Sequence, residues 1–418
     1  MTAGVVRAGE GDPRVVVVGA GPAGLVLAWL LHRAHVPFLL VERETQDVIG
    51  STPKAGIVEY RTVELLRREG IADVALHFDA ENRSVEFRSP RTSVHLDYAA
   101  LTGDRPHYVF PQHRLVAELA AALVDAGAPL AFSHRVTDVE AAPDGGRPRI
   151  VVEGPEGRRR ELTPDVVVGA DGASSAVARA HRRAGGVEVL DRRLPARWLV
   201  VSAASPPLVG HTVYGIHPRG FAAHLRRGPQ ETRFYLEVPG DVGAADLTHD
   251  DIRAELAERL ALDPAGVGGL DVVGVDALDL RTRMTTPMSH GGLALVGDAA
   301  HLITPAGGKG MNLAIADAVE LAHGLVEAFG DTRGSGDRTR LDAYSATRLP
   351  ALWRTQAFSD WLLRVLSARS ADAVDDASAG FVHGTREGWV AALRDDPALA
   401  RWFAHAYAGV DAASDHGP

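Results

Sequence analysis

The sequence predicts an α/β fold with an antiparallel sheet inserted into it and a helical segment at its C-terminal end. Three observations carry this. Short apolar runs close on glycine turns at Gly19, Gly169 and Gly297, the pattern of buried strands that feed helix N-termini. Over residues 198–238 the pattern changes to β-branched and aromatic runs of mixed alternation, which reads as a separate antiparallel sheet. Beyond Asn312 helical spacing dominates.

Composition narrows the class. A chain of 418 residues has room for two or three domains, and 46% apolar with 23% charged residues is ordinary for a globular protein. The formal net charge of -10 leaves no basic excess to neutralise phosphates, which argues against nucleic-acid binding. With no cysteine, disulfides, thiolate catalysis and sulfur-ligated metals are excluded. The 18 histidines show no metal-ligand spacing and read as structural, so no metal is expected. Residues 15–31 are nearly all apolar, but Gly19, Gly21, Pro22 and Gly24 interrupt them, so strand plus helix explains them better than a membrane span. Residues 1–12 lack the basic and apolar regions of a signal peptide. A soluble, cytoplasmic protein without membrane contact is expected.

The elements follow in order. Arg14-Val-Val-Val-Val18 reads as a buried parallel strand that runs into Gly19-Ala-Gly-Pro-Ala-Gly24. Pro22 sits in the first helical turn, where its missing N–H costs nothing. A second strand, Phe38-Leu-Leu-Val41, ends at Glu42. This is a βαβ unit with a G-x-G-x-x-G fingerprint and an acid roughly 20 positions on, the pattern of a Rossmann-like dinucleotide site. Its glycines allow close approach of a pyrophosphate to the helix start, and Glu42 would accept hydrogen bonds from an adenosine ribose. Residues 59–68 look helical, the run over residues 109–115 leads into another helix to about Asp125, and residues 130–162 suggest an antiparallel ribbon. Asp165-Val-Val-Val-Gly-Ala-Asp-Gly172 is again a strand that closes on glycine and acid. After the inserted sheet come a helix over residues 250–260, a return strand over residues 278–284, and the densest stretch, residues 293–312. There a strand, Asp298, a turn rich in proline and glycine, and a helix start follow one another. Asp298 suits sugar hydroxyls and the free N–H groups of the helix suit an anion. Asp171 and Asp298 could instead merely cap the helices that follow them. The remainder is helical, with residues 341–368 bent near Pro350. The expected domains are residues 1–80, 100–185 and 286–340 for the dinucleotide, 81–99 and 186–285 for the inserted sheet, and 341–418 for the helical segment.

Three glycine-and-acid sites in this order, together with residues 50–70, Tyr214-Gly-Ile-His-Pro-Arg-Gly-Phe221, Pro305-Ala-Gly-Gly-Lys-Gly-Met-Asn312 and Ala406-Tyr-Ala-Gly409, resemble the single-component FAD-dependent aromatic monooxygenases, in particular the branch that hydroxylates 4-hydroxybenzoate. The resemblance implies a FAD-binding domain of the glutathione-reductase type. It implies that NAD(P)H reduces FAD and that O₂ then forms a C4a-hydroperoxide. The ring takes its oxygen ortho to the hydroxyl, giving 3,4-dihydroxybenzoate. By position it implies that Gly19, Gly21, Gly24, Glu42, Arg43, Lys54, Gln112, Asp171 and Asp298 hold FAD. The helix start at Lys309, Gly310, Met311 and Asn312 would face the flavin pyrimidine edge. Arg227 would clamp the substrate carboxylate, aided by Tyr235, with Arg233 beside the flavin. Tyr214 would bond the phenol oxygen, Tyr407 would pass the proton on, and the Pro305 carbonyl would face the same hydroxyl. Arg281 matches a position that helps bind the nicotinamide cofactor. The implied partners are a small aromatic acid and O₂, with a homodimer left open.

The chain departs from that pattern at several positions. Leu225 stands where the family has a carboxylate-binding serine, which costs one hydroxyl donor worth about 0.5–1.5 kcal/mol or marks a modified substrate. Asn82 falls where a histidine ends the proton relay, Ala306 replaces a threonine beside the flavin, and Ser174 replaces a histidine in the nicotinamide site. Two arginines expected over residues 50–55 are absent, with Lys54 standing for one. Glu44 and Val48 offer nothing to a 2′-phosphate, so NADH is expected to serve at least as well as NADPH. Three functions stay open: hydroxylation of 4-hydroxybenzoate, the same chemistry on a substituted 4-hydroxybenzoate or an aminobenzoate, and a FAD protein that does not oxygenate.

Overall fold

The computed structural model describes residues 13–51, 56–71, 80–142, 146–330, 336–369 and 376–409. It has the predicted α/β class, the inserted sheet and the C-terminal helices. Val15–Val18 is buried along its whole length, as a strand covered by helices on both faces must be. It pairs in parallel with Phe38–Val41 on one side and Val166–Gly169 on the other. The sheet runs Ser289–His290, Leu293–Leu295, Val166–Gly169, Val15–Val18, Phe38–Val41, Leu130–Ala131, and only its outermost Ser289–His290 is antiparallel. Helices Pro22–Arg33, Gln112–Asp125 and Gly310–Phe329 bury their apolar faces in the core around it. Three neighbouring strands therefore deliver Gly19, residues 169–171 and residues 297–298 to one edge of the sheet. Ligands bind at that carboxyl edge in open α/β sheets.

The ribbon expected over residues 130–162 consists of Arg135–Glu140, Arg149–Glu153 and Arg159–Leu162, all antiparallel. The second large sheet has eight strands, in the order His301–Leu302, Val272–Thr286, Glu188–Ala203, Glu231–Pro239, Gly220–Gly228, Thr212–His217, Val85–Arg88, Ser93–Leu96. One pair, Thr212–His217 with Val85–Arg88, is parallel. Strand alternation gives the sheet two different faces. Leu199, Val201, Val213, Phe234 and Leu236 pack with Ile252, Leu256 and Leu260 of helix His249–Leu260. The opposite face, with Trp198, Tyr214, Phe221 and Ala223, packs with Phe358, Leu362, Val390, Phe403 and Tyr407 of the C-terminal helices. Two strands are longer than the sequence suggests. Glu188–Ala203 begins ten residues before the expected Trp198, because its charged first half is exposed and pairs only with Val272–Thr286.

The stretch over residues 293–312 joins both sheets. Leu293–Leu295 belongs to the first, whereas His301 and Leu302 pair with Met284 and Arg283 at the edge of the second. Between them lies the fully buried Asp317, which the sequence reading passed over. Its Oδ2 accepts from the Gly297 amide at 3.0 Å and faces His301 Nε2 at 2.6 Å, and its Oδ1 accepts from Arg348 Nε at 2.8 Å. Because Asp317 sits on Gly310–Phe329, this network ties the acid turn to the helix it feeds and to the long helix Thr339–Leu366.

Three histidines in the interior bear on stability. Burial pushes His107 down to about 3 and His181 and His224 down to about 4, with the Lys309 charge adding to the effect on His107. Above the unfolded value near 6.5 all three are neutral in both states, and the native state carries its full stability. As pH falls through that value the unfolded chain takes up protons that the native state refuses, and stability drops until about pH 4. Each histidine contributes at most about 1.4 kcal/mol per pH unit in this window. We expect Tm to fall steadily between pH 6.5 and 4, with a shallower slope in His181→Leu. A flat profile over that range would contradict the assignment.

Candidate active site

The dinucleotide fingerprint has the geometry its glycines permit. Gly19 adopts φ +104°, and a Cβ there would lie 2.5 Å from the Ala170 carbonyl oxygen. A Cβ on Gly24 would lie 2.0 Å from the Gly19 oxygen, whereas the space at Gly21 is open. Helix Pro22–Arg33 starts at Gly21 with no side-chain cap and no acid in its first turn, so its N-terminal N–H groups retain their positive end. Glu42 closes the next strand, accepting from the Ala20 amide at 2.7 Å and the Glu44 amide at 2.9 Å. Arg43 is exposed and pairs with Glu44 at 3.2 Å. Gln112 opens helix Gln112–Asp125, and Lys54 lies outside the described residues.

Asp171 is half-buried, with one oxygen on the Ala176 amide at 2.7 Å, the capping contact that was the alternative reading. Its other oxygen, Oδ1, has no hydrogen-bond partner within the described protein. Burial raises its pKa against the pull of those bonds. A polar atom left this way asks for a donor from outside the chain, such as a sugar hydroxyl. Asp298 is exposed on its own turn, Gly297–Ala299. The second helix start is equally free, since Gly310–Phe329 has no side-chain cap and no acid in its first turn. These cradles, the orphaned oxygen and two positive helix ends fit a dinucleotide with a pyrophosphate and a polyol chain. Gly24→Ala is expected to leave protein purified without bound flavin, because its methyl group meets backbone that cannot yield. Flavin retention at the wild-type ratio, read from visible absorbance, would contradict this.

At the same helix start, three expected side chains are engaged with the protein itself. Lys309 is buried and reaches Glu59 Oε1 at 2.7 Å and the Tyr407 carbonyl oxygen at 2.6 Å. Asn312 accepts from the Glu59 amide at 2.9 Å and donates to the carbonyls of Gly308 and Ile57. Met311 lies in the core. Their backbone, and not their side chains, therefore faces outward at the turn. The Pro305 carbonyl accepts from the Gly308 amide at 3.0 Å, which folds the turn over.

A cavity opens between this turn and the inserted sheet, lined by Gly56, Trp198, Tyr214, Phe221, Leu225, Arg227, Arg233, Tyr235, Pro305 and Ala306 among others. Sheet register explains the grouping. Tyr214 pairs with Ala223, Ala223 with Tyr235, and Leu225 with Arg233, which puts them all on one face. Arg227 lies four residues beyond Ala223 on the same face, about 13 Å along the strand. Its guanidinium lies against Gly56, where a Cβ would come within 2.1 Å of Nη1. Burial and the neighbouring Arg233 push Arg227 down to about 10, so it stays cationic in a place that favours an anion.

At the other end Tyr214 Oη and Tyr407 Oη lie 3.0 Å apart. Burial first, then the neighbouring hydroxyl, raises Tyr214 well above its ordinary value, so its hydroxyl keeps its proton and stays neutral. The Tyr407 backbone is pinned by Lys309 and by His107 Nε2 at 2.8 Å from its carbonyl oxygen. Gly56, Glu59 and His107, which carry no signal in the sequence, each touch a site residue from a distant part of the chain: Arg227, Lys309 and the Tyr407 backbone. Arg281 is bound to Asp191, its Nε 2.6 Å from Oδ1. Among the described residues, Glu86, His95 and His211 approach one another in a way their spacing does not reveal, but Glu86 already serves Arg88, Ser93 and His211. No helix among the described residues is long and apolar enough to cross a membrane.

Comparison with known proteins agrees with this geometry. A family model described as FAD binding domain matches residues 12–359. The chain is 30% identical over 356 residues to a p-hydroxybenzoate hydroxylase of Acinetobacter baylyi, covering 84% of this chain and 86% of that protein. It is 32% identical over 353 residues to a 12-dehydrotetracycline 5-monooxygenase/anhydrotetracycline 6-monooxygenase of Streptomyces rimosus, covering 80% and 66%. An anhydrotetracycline hydroxylase from Streptomyces rimosus superposes with a TM-score of 0.73 at 26% identity, over 95% of this chain and 76% of that one. A p-nitrophenol 4-monooxygenase from Pseudomonas putida shares the fold, with a TM-score of 0.76 at 21% identity, over 94% and 96%. An uncapped glycine cradle, a half-buried acid with one shielded, unpartnered oxygen and a match across most of the chain lead to one conclusion: this protein belongs to the FAD-binding family of flavin-dependent aromatic monooxygenases.

Proposed function

We propose that the protein hydroxylates 4-hydroxybenzoate ortho to its hydroxyl, with NAD(P)H as electron donor. The observation that supports this most is one aromatic-walled cavity holding a buried arginine and a buried tyrosine pair. Arg227 takes the carboxylate in a bidentate pair, and Tyr235 lines the approach. Trp198 and Phe221 supply apolar wall to the ring and exclude water. Tyr214 bonds the ring oxygen, and Tyr407 holds Tyr214 in place. FAD, when bound and reduced, supplies the activated oxygen. Gly19, Gly21, Gly24, Glu42, Asp171 and Asp298 would hold it, and the N-terminus of Gly310–Phe329 would stabilise negative charge on its ring.

A substituted 4-hydroxybenzoate is the second reading, supported by Leu225 and Ala306. Both line the cavity, one as an apolar residue and the other as a small one. A panel of substituted benzoates, scored for NADH consumption against hydroxylated product by mass, tests both. Product from 4-hydroxybenzoate with tight coupling supports the first, and faster coupled turnover of a ring-substituted analogue supports the second. Consumption without product from every member would sink both. With Glu44 beside the ribose acid, kcat/KM for NADH is expected to equal or exceed that for NADPH, and a strong NADPH preference would contradict that assignment.

A further inference from the structure

We propose that Glu86, His95 and His211 form a site for one divalent transition cation of the zinc type, which staples the three outermost strands at one edge of the eight-stranded sheet. None of the three residues lines the substrate cavity, so the inference is independent of the benzoate reading.

Strand alternation assembles the set. Val85, Phe87, Val94 and Leu96 belong to the core on the side of the C-terminal helices, which turns Glu86 and His95 to the opposite face. There Glu86 stands directly across from His95 in the antiparallel pair Val85–Arg88 with Ser93–Leu96. On the other side Val213 pairs with Glu86, and His211 precedes it by two positions at the entry to Thr212–His217. The donor atoms of the three side chains all lie within 4.8 Å of one another. His211 Nε2 is 2.8 Å from Glu86 Oε2, and the two imidazole rings meet edge to face with centroids 4.7 Å apart. Ligands bound to a tetrahedral zinc at about 2.0–2.1 Å stand about 3.3 Å from one another, so small side-chain rotations close the set.

Two imidazoles and one carboxylate suit zinc and its neighbours in the first transition row, whereas calcium and magnesium call for oxygen ligands. The hydrogen bonds that Glu86 already makes serve such a site. With a cation in place, His211 Nε2 and a Glu86 oxygen would both turn to it in place of each other. Ser93 Oγ, 2.5 Å from Oε1, and Arg88 Nη2, 2.8 Å from Oε2, would then hold the carboxylate from behind, as outer-shell partners of a ligating acid do. Arg88 is itself fixed, its Nη1 donating to the Leu260 carbonyl at 3.0 Å. Its charge works against a second cation nearby, which sets the expected affinity in the micromolar range and below that of a closed structural centre. His95 is exposed and its two partners are half-buried, so the cation enters from solvent and water completes its coordination. The staple joins segments far apart in the chain, and one of its strands carries Tyr214 into the cavity.

The test uses the full-length, FAD-loaded protein, stripped of metal with a chelator and returned to chelator-free buffer. Zn²⁺ alone is titrated in by calorimetry, and Tm is read on the same samples. One Zn²⁺ per chain should bind at micromolar concentration, and a hundredfold excess over Kd should raise Tm by about 3 °C. Mg²⁺ and Ca²⁺ should do neither. His95→Ala removes only an exposed side chain, so the fold survives it. It should weaken Zn²⁺ binding at least about tenfold and abolish the rise in Tm, and His211→Ala should do the same. Absence of stoichiometric Zn²⁺ binding by the wild type would overturn the proposal. So would wild-type affinity in His95→Ala, since the cation would then sit on histidines elsewhere.

Discussion

Arg227→Ala is expected to weaken 4-hydroxybenzoate binding by roughly two to four orders of magnitude. Arg227 is 7% exposed, burial and Arg233 both work against its charge, and Gly56 provides the room in which it lies. A cation kept in such a place favours a carboxylate brought to it. Removing one partner of a buried, hydrogen-bonded charge pair costs about 3–5 kcal/mol of binding, which corresponds to the loss stated. Arg227→Lys should recover only part of the affinity, because an ammonium cannot form the bidentate pair. Titration by flavin absorbance checks this, with Tm measured on the same samples. Unchanged affinity would remove Arg227 from the carboxylate site, and a large fall in Tm would mean that its role is structural.

Tyr214→Phe is expected to separate electron consumption from product. The phenylalanine ring fills the same space against Phe87 and Phe221, so the cavity wall and the edge contacts at 5.6 and 5.8 Å survive. What disappears is the hydroxyl proposed to meet the ring oxygen, and with it the link to Tyr407. A positioned acid–base group contributes about 10²–10⁴ to a rate, so hydroxylation should fall by at least about a hundredfold. Substrate affinity should fall much less, since Arg227 remains. NADH oxidation should continue and yield peroxide. The ratio of catechol formed to NADH consumed reads this directly, and a wild-type ratio at a wild-type rate would remove Tyr214 from its assigned role.

How far these features could be read from sequence depended on distance along the chain. The βαβ unit was legible because Gly19, Gly21, Gly24 and Glu42 fall within one supersecondary unit whose spacing geometry dictates. The three glycine-and-acid turns were legible one by one, and parallel pairing of adjacent strands brings them to one edge. The supports of the site were not legible. Asp317 looks like a polar residue on a helix until His301, Arg348 and the Gly297 amide close on it. Glu59 and Lys309 are 250 residues apart, and no pattern in either neighbourhood announces their pairing. The charged half of Glu188–Ala203 hid a strand, since a two-stranded ribbon exposed on both faces needs no apolar alternation. Asn82 was noticed only as a departure. The structure shows that its side-chain amide meets Thr212, 130 residues away, a pairing with no local signal.

The measurement closest to the central claim is oxygen labelling. The FAD-loaded enzyme is supplied with NADH, 4-hydroxybenzoate and ¹⁸O₂ in ordinary water, and the product is weighed by mass spectrometry. A monooxygenase acting on the ring placed between Arg227 and Tyr214 should give 3,4-dihydroxybenzoate carrying a single ¹⁸O on the newly formed hydroxyl. Ring oxidation without label, or oxidised NADH with an untouched ring across the benzoate panel, would contradict it.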